Sequence, residues 1–85
     1  MSDIDEDGWE ETCPGFYRKR VSEANGEYRV EAWINAFGGS EGGALYGVRY
    51  PDGRNMSGEL FGLSASRVAR IVCDAEMAAY LERVR

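Results

Sequence analysis

The chain has 85 residues, 44% of them hydrophobic and 12% aromatic, with a net charge of −5 and no histidine. Its length supports one small domain with a thin core, its apolar content is too high for a disordered chain, and no apolar run approaches bilayer-spanning length. The missing histidine removes the commonest general base and the commonest metal ligand together, so no catalytic role, metal or cofactor is expected.

The charge is uneven. Residues 1–11 hold Asp3, Asp5, Glu6, Asp7, Glu10 and Glu11 and no base, which leaves nine acids against ten bases in residues 12–85, or +1. Nine of those ten bases are arginine, the cation suited to bidentate pairing with carboxylate or phosphate. The molecule reads as a near-neutral body (residues 15–85) with an acidic, irregular arm (residues 1–14), and such asymmetry points to an interaction tail. DIDEDG, residues 3–8, matches the opening of an EF-hand calcium loop. The twelfth position is Pro14, however, which has no carboxylate, and only Met1 and Ser2 precede the loop, so the stretch is read as an electrostatic arm. An acidic N-terminus without an apolar stretch behind it is also unlike a secretory signal, so a cytoplasmic location is expected. Two reduced thiols, Cys13 and Cys73, fit that compartment; a disulfide between the arm and the C-terminal segment is the other possibility.

Pro14-Gly15 punctuates the chain, and strand signals follow. FYRKRVS (16–22) is rich in aromatic and β-branched residues. Asn25-Gly26 is a hairpin turn signal. EYRVEAWINAF (27–37) alternates with period two. Tyr28, Val30, Ala32, Ile34 and Ala36 share one face, and Arg29, Glu31, Trp33, Asn35 and Phe37 share the other. GGSEGG makes a loop. Within it, residues 38–42 match the G-x-S-x-G of hydrolase nucleophile elbows, but a loop joining two strands in a chain without histidine lacks both the context and the base. ALYGVRY (44–50) is a third strand, Pro51-Asp52-Gly53 a turn, and RNMSGELFG (54–62) a fourth strand.

From Ser64 or Ser66 as N-cap, ASRVARIVCDAEMAAYLERVR is helix-forming. Val68, Ile71, Val72, Ala75 and Ala79 make one apolar stripe, expected to face the sheet. Met77, Tyr80, Leu81 and Val84 fall roughly opposite. That second stripe is explained either by a helix break near Asp74 or by a homodimer contact. The expected fold is α+β, a four-stranded antiparallel meander covered on one face by the C-terminal helix (ββββα).

Two functional expectations follow. The first is a small non-catalytic binding protein that occludes a basic surface of a larger protein partner and so inhibits or regulates it. The acidic arm would steer it, with Arg29, Trp33 and Phe37 as the desolvated anchor. A partner of that kind often holds nucleic acid, and the sharper form is an inhibitor such as phages deploy against host defence nucleases, including anti-CRISPR proteins. The second rests on FYRKR and the later YR and RY pairs, which interleave rings and cations as single-stranded nucleic-acid binders do. Four strands followed by a helix also resemble the arrangement of the Whirly-type transcriptional coactivators. That resemblance implies a homodimeric single-strand binder using its sheet face.

Overall fold

A computed structural model describes residues 3–4, 8–22, 29–37 and 42–83, with backbone only at 3–4 and Ser22. The strands are β1 (Asp3–Ile4), β2 (Glu10–Cys13), β3 (Phe16–Ser22), β4 (Arg29–Phe37), β5 (Gly43–Arg49) and β6 (Asn55–Phe61), followed by the helix α1 (Ala65–Arg83). Every strand pairs antiparallel with its sequence neighbour, giving the order β1-β2-β3-β4-β5-β6. The α+β class, the meander and the C-terminal helix are as the sequence implies. The strand count is not: five strands form the sheet, and the two-residue β1 adds a short rim beyond them.

The additional strand, β2, lies in the segment expected to be irregular. Its sequence, EETC, has no apolar alternation. Three tertiary features hold it in place. Trp9, just before it, is buried in the core. Glu10 faces Arg18 on β3, with Oε1 2.9 Å from Arg18 Nε. Gly15, with φ +85°, reverses the chain, and its carbonyl accepts the Ala36 N–H at 2.7 Å. The ladder shifts register between Glu11 and Cys13, a bulge that bends this side of the sheet.

The core lies between one sheet face and α1. Val30, Ala32 and Ile34 of β4, Ala44 and Val48 of β5, and Trp9 meet Ala65, Ala69, Cys73, Met77 and Tyr80 of the helix. The expected helix orientation is therefore reversed. Met77 and Tyr80, expected at a dimer surface, are only 2% and 6% exposed, and Leu81 packs half-buried against the same core. Val84, the fourth residue of that surface, lies outside the described residues. Val68 and Ile71, expected against the sheet, are exposed. The reason is volume. The sheet face already carries Trp9, Ile34, Val30 and Val48, so the helix approaches through small residues, Ala65, Ala69 and Cys73, and uses Met77 and Tyr80 further along. With this stripe facing inward α1 needs no break, and it runs unbroken through Asp74.

Polar contacts fix the helix on the sheet. Lys19, on the core side of β3, extends its ammonium to Asp74 Oδ1 at 2.9 Å, and the Trp9 indole N–H donates to the same carboxylate at 3.3 and 3.4 Å. Tyr50 donates to Glu76 at 3.1 Å and packs on the Tyr80 ring with centroids 4.8 Å apart. Cys13 is exposed and Cys73 buried, and both are free thiols. The Asn25-Gly26 turn and positions 38–41 of the G-x-S-x-G match lie outside the described residues.

Candidate binding face

The helix covers one side of the sheet and leaves the other open. Because facing residues on adjacent strands share a side, the ladder registers define the open face as rows. Arg20, Glu31, Arg49 and Asn55 form one row across β3 to β6. Glu10, Arg18, Trp33, Gly47 and Ser57 form the next, beginning on β2. Phe16, Asn35, Leu45 and Glu59 follow, and then Phe37, Gly43 and Phe61.

Two aromatic side chains of β4 lie over glycines of β5. A Cβ placed on Gly47 would come within 2.6 Å of the Trp33 ring, and one on Gly43 within 2.8 Å of the Phe37 ring. The glycines thus create the space that lets each ring lie down across the neighbouring strand. Lying flat, the rings keep a broad face in solvent: Trp33 is 37% exposed and Phe37 40%. Phe16, Leu45 and Phe61 add exposed apolar surface on the same side. Trp9, the other tryptophan, is on the opposite side under the helix and does not cover these rings.

Charge on this face is mixed. Arg18 pairs with Glu10, and Arg20 approaches Glu31 more loosely at 3.6 Å. Among the described residues Arg29 and Arg49, both exposed, make no ion pair. Between these groups lies a shallow hollow of about 440 Å³ bordered by Phe16, Arg18, Glu31, Trp33, Asn35 and Arg49. It is large enough to take an inserted side chain and too open to enclose a small molecule. A smaller groove of about 290 Å³ runs between α1 and β3 past Lys19, Val21 and Leu81, with Asp74 already engaged there by two donors.

The residues expected to bind a partner are thus divided. Arg29, Trp33 and Phe37 share the open face, joined there by Glu10. Glu11 projects to the helix side beside Tyr17, whose hydroxyl is pushed up by burial first and then by that carboxylate. Asp3 sits in the β1 rim, so its backbone is extended rather than curled as in a calcium loop. Asp5, Glu6 and Asp7 lie outside the described residues. Of the rings and cations that FYRKR and the YR and RY pairs suggested as one platform, Phe16, Arg18, Arg20, Arg29, Trp33 and Arg49 share the open face. Tyr17, Lys19 and Tyr50 lie on the helix side. Leu45 and the glycine platforms were not singled out by the sequence, because only cross-strand register places them. Among the described residues no group of three Cys, Asp or Glu side chains is placed to hold a metal ion, and no helix is long and apolar enough to cross a membrane.

No family model matches the chain, and no curated protein or solved structure gives a significant match.

Proposed function

We propose that the protein is a non-catalytic binding module that docks its open sheet face on a larger protein and covers a basic surface there. The observation that carries this reading is the pair of rings, Trp33 and Phe37, held flat and exposed on Gly47 and Gly43 beside Arg18 and Arg49. Tryptophan and arginine are enriched among residues that dominate binding energy, and such anchors work best at the centre of a flat, desolvated patch. The carboxylates Glu10, Glu31 and Glu59 are interspersed on the same face. Mixed signs favour a protein surface over a phosphodiester backbone, which calls for cations alone. The acids of residues 1–11 contribute steering, so association should be fast at low salt and slow at high salt. A partner whose basic surface holds nucleic acid is the sharper form, and the binding would then act as inhibition.

The test is affinity capture from the native host with wild type, Trp33→Ala/Phe37→Ala, and a form with Asp3, Asp5, Glu6 and Asp7 amidated to Asn or Gln. Under this reading one protein is enriched by wild type, lost with the ring variant, and captured more slowly and with less salt dependence by the amidated form. The same protein captured equally by wild type and the ring variant would remove the open face from the mechanism. Amidation is the cleaner probe of charge, because deleting residues 1–11 would also take Trp9 out of the core.

Flat exposed rings also favour one second reading, single-stranded nucleic acid stacking on Trp33 and Phe37. A labelled oligonucleotide titrated at low salt saturates under that reading and gives no shift under the first.

A further inference from the structure

The two outer edges of the sheet are treated differently. On the N-terminal side the edge is acidic, bulged between Glu11 and Cys13, and reduced to the two-residue β1, which are ways of discouraging further pairing. The opposite edge, β6, has seven residues, NMSGELF, with no proline, no register shift and a single charged side chain, Glu59. Among the described residues no strand pairs with its outer side, and α1 lies mainly over β4 and β5.

The hydrogen bonds at the two ends of the β5–β6 ladder define what this edge offers. Tyr50 N–H donates to the Arg54 carbonyl at 2.9 Å, and Gly62 N–H to the Gly42 carbonyl at 3.3 Å. Inward-bonded positions alternate along an antiparallel strand, so the even-numbered residues of β6 bond to β5. Asn55, Ser57, Glu59 and Phe61 therefore turn their N–H and C=O groups outward.

We propose that β6 is a homodimerisation edge, pairing antiparallel with β6 of a second copy about a two-fold axis at Gly58. In this register Ser57 faces Glu59 of the second copy and Asn55 faces its Phe61, each facing pair exchanging both backbone hydrogen bonds. Gly58 meets Gly58. On the helix side, Met56 meets Leu60 twice, and these are the half-buried apolar residues of the strand. The one charged residue meets a neutral one. Shifting the axis by one residue toward the helix places Glu59 against Glu59, and shifting it the other way sets Ser57 against Ser57 and leaves Met56 facing only Gly58 and Leu60 facing the Arg54 end. Two further facts fit the centred register. Phe61 and Leu63, at 72% and 82% exposed, are the most exposed large apolar side chains described, and both lie at one end of this edge. There they fall against Asn55 and the Pro51–Gly53 turn of the second copy. The contact is isologous and uses up the edge, so assembly stops at two. The two open faces become one continuous surface, twice as wide.

The test is sedimentation of the full chain over a micromolar-to-millimolar dilution series. The expected result is a monomer–dimer equilibrium without larger species. Ser57→Pro deletes an outward N–H and leaves the β5 ladder intact, so it should give a folded monomer by circular dichroism. Ser57→Glu sets like charges opposite each other twice and should weaken dimerisation about tenfold. Adding Glu59→Lys to Ser57→Glu sets opposite charges in the same places and should restore it. A wild type that stays monomeric, a dimer indifferent to Ser57→Pro, or assembly that continues past two would each overturn the proposal. If either single variant unfolds, the double variant still decides, since only this register predicts its recovery.

Discussion

Trp9 shows how much one residue can contribute in a small domain. It is the largest fully buried side chain, and it belongs to the segment richest in charge. Its ring fills the space under α1, and its N–H points to Asp74, which Lys19 also engages. Replacing Trp9 with alanine removes that volume and leaves a cavity, costing about 3–5 kcal/mol. Against a total stability of roughly 5–15 kcal/mol for a native domain, that is a large share. The urea midpoint of Trp9→Ala should fall steeply, whereas Thr12→Ala, exposed two strand positions beyond Glu10, should move it little. A Trp9→Ala midpoint equal to wild type would mean that the N-terminal segment is not part of the fold. Nothing local in GWEETC announces this role. A tryptophan flanked by acids resembles a solvent-exposed anchor, and its burial depends on β2 returning beside β3. Trp33 and Phe37 were easier to place, because strict alternation along residues 29–37 put them opposite Val30, Ala32 and Ile34. What the alternation does not reveal is that Trp33 faces Gly47 and Phe37 faces Gly43, since register is a property of two strands.

Among the elements, strands β3 to β6 and the position of α1 were legible from the sequence, whereas the continuity of α1 through Asp74 and the face it buries were not. Hydropathy ranks Val68, Ile71 and Val72 above Ala65, Ala69 and Cys73, so the stripe of larger residues suggests itself as the core side. Packing decides otherwise, because a sheet already crowded with Trp9 and Ile34 accepts alanines and rejects branched side chains. The orientation is directly testable. Ala69→Leu inserts volume into the helix–sheet contact and should destabilise by about 1–3 kcal/mol. Ile71→Ala trims an exposed position and should fall within about 0.5 kcal/mol of wild type. Were the helix turned the other way, the two effects would exchange magnitudes, so a pair of urea melts settles it. The strand missed, β2, failed for a related reason. EETC has neither alternation nor β-branched bulk beyond Thr12, and its pairing comes from the arginine of the next strand and the Pro14-Gly15 reversal.

Taken as a whole, the molecule has a definite response to alkali. Burial, followed by the nearby Asp74 and Glu76 carboxylates, pushes the Cys73 thiol from an ordinary value near 9 up to about 12. Above pH 9 the unfolded chain releases this proton and the folded chain keeps it. Unfolding is thereby favoured, so stability contributed by the thiol is complete below pH 9 and is lost progressively between pH 9 and 12. Tyr17 and Tyr50 act in the same direction. Burial raises both first, reinforced by Glu11 at Tyr17 and by Glu76 at Tyr50. The expected observation is a urea midpoint that stays level up to pH 9 and then declines, with a shallower decline in Cys73→Ala. A midpoint that rises above pH 9 would contradict the burial of Cys73.

The opposed burial of the two tryptophans has a practical consequence. The sequence contains only Trp9 and Trp33, one sealed beneath the helix and the other open on the far face of the same sheet. The chain therefore carries two tryptophan fluorophores with separate meanings. Dissolved iodide should quench Trp33, which shares its hollow with the exposed Arg49, and should leave Trp9 emitting. Unfolding shifts the Trp9 emission to longer wavelength. Occupation of the open face shields Trp33 from the quencher without altering Trp9. One unlabelled sample can thus report stability and occupancy independently, and each proposal made for the open face has an optical readout already built into the chain.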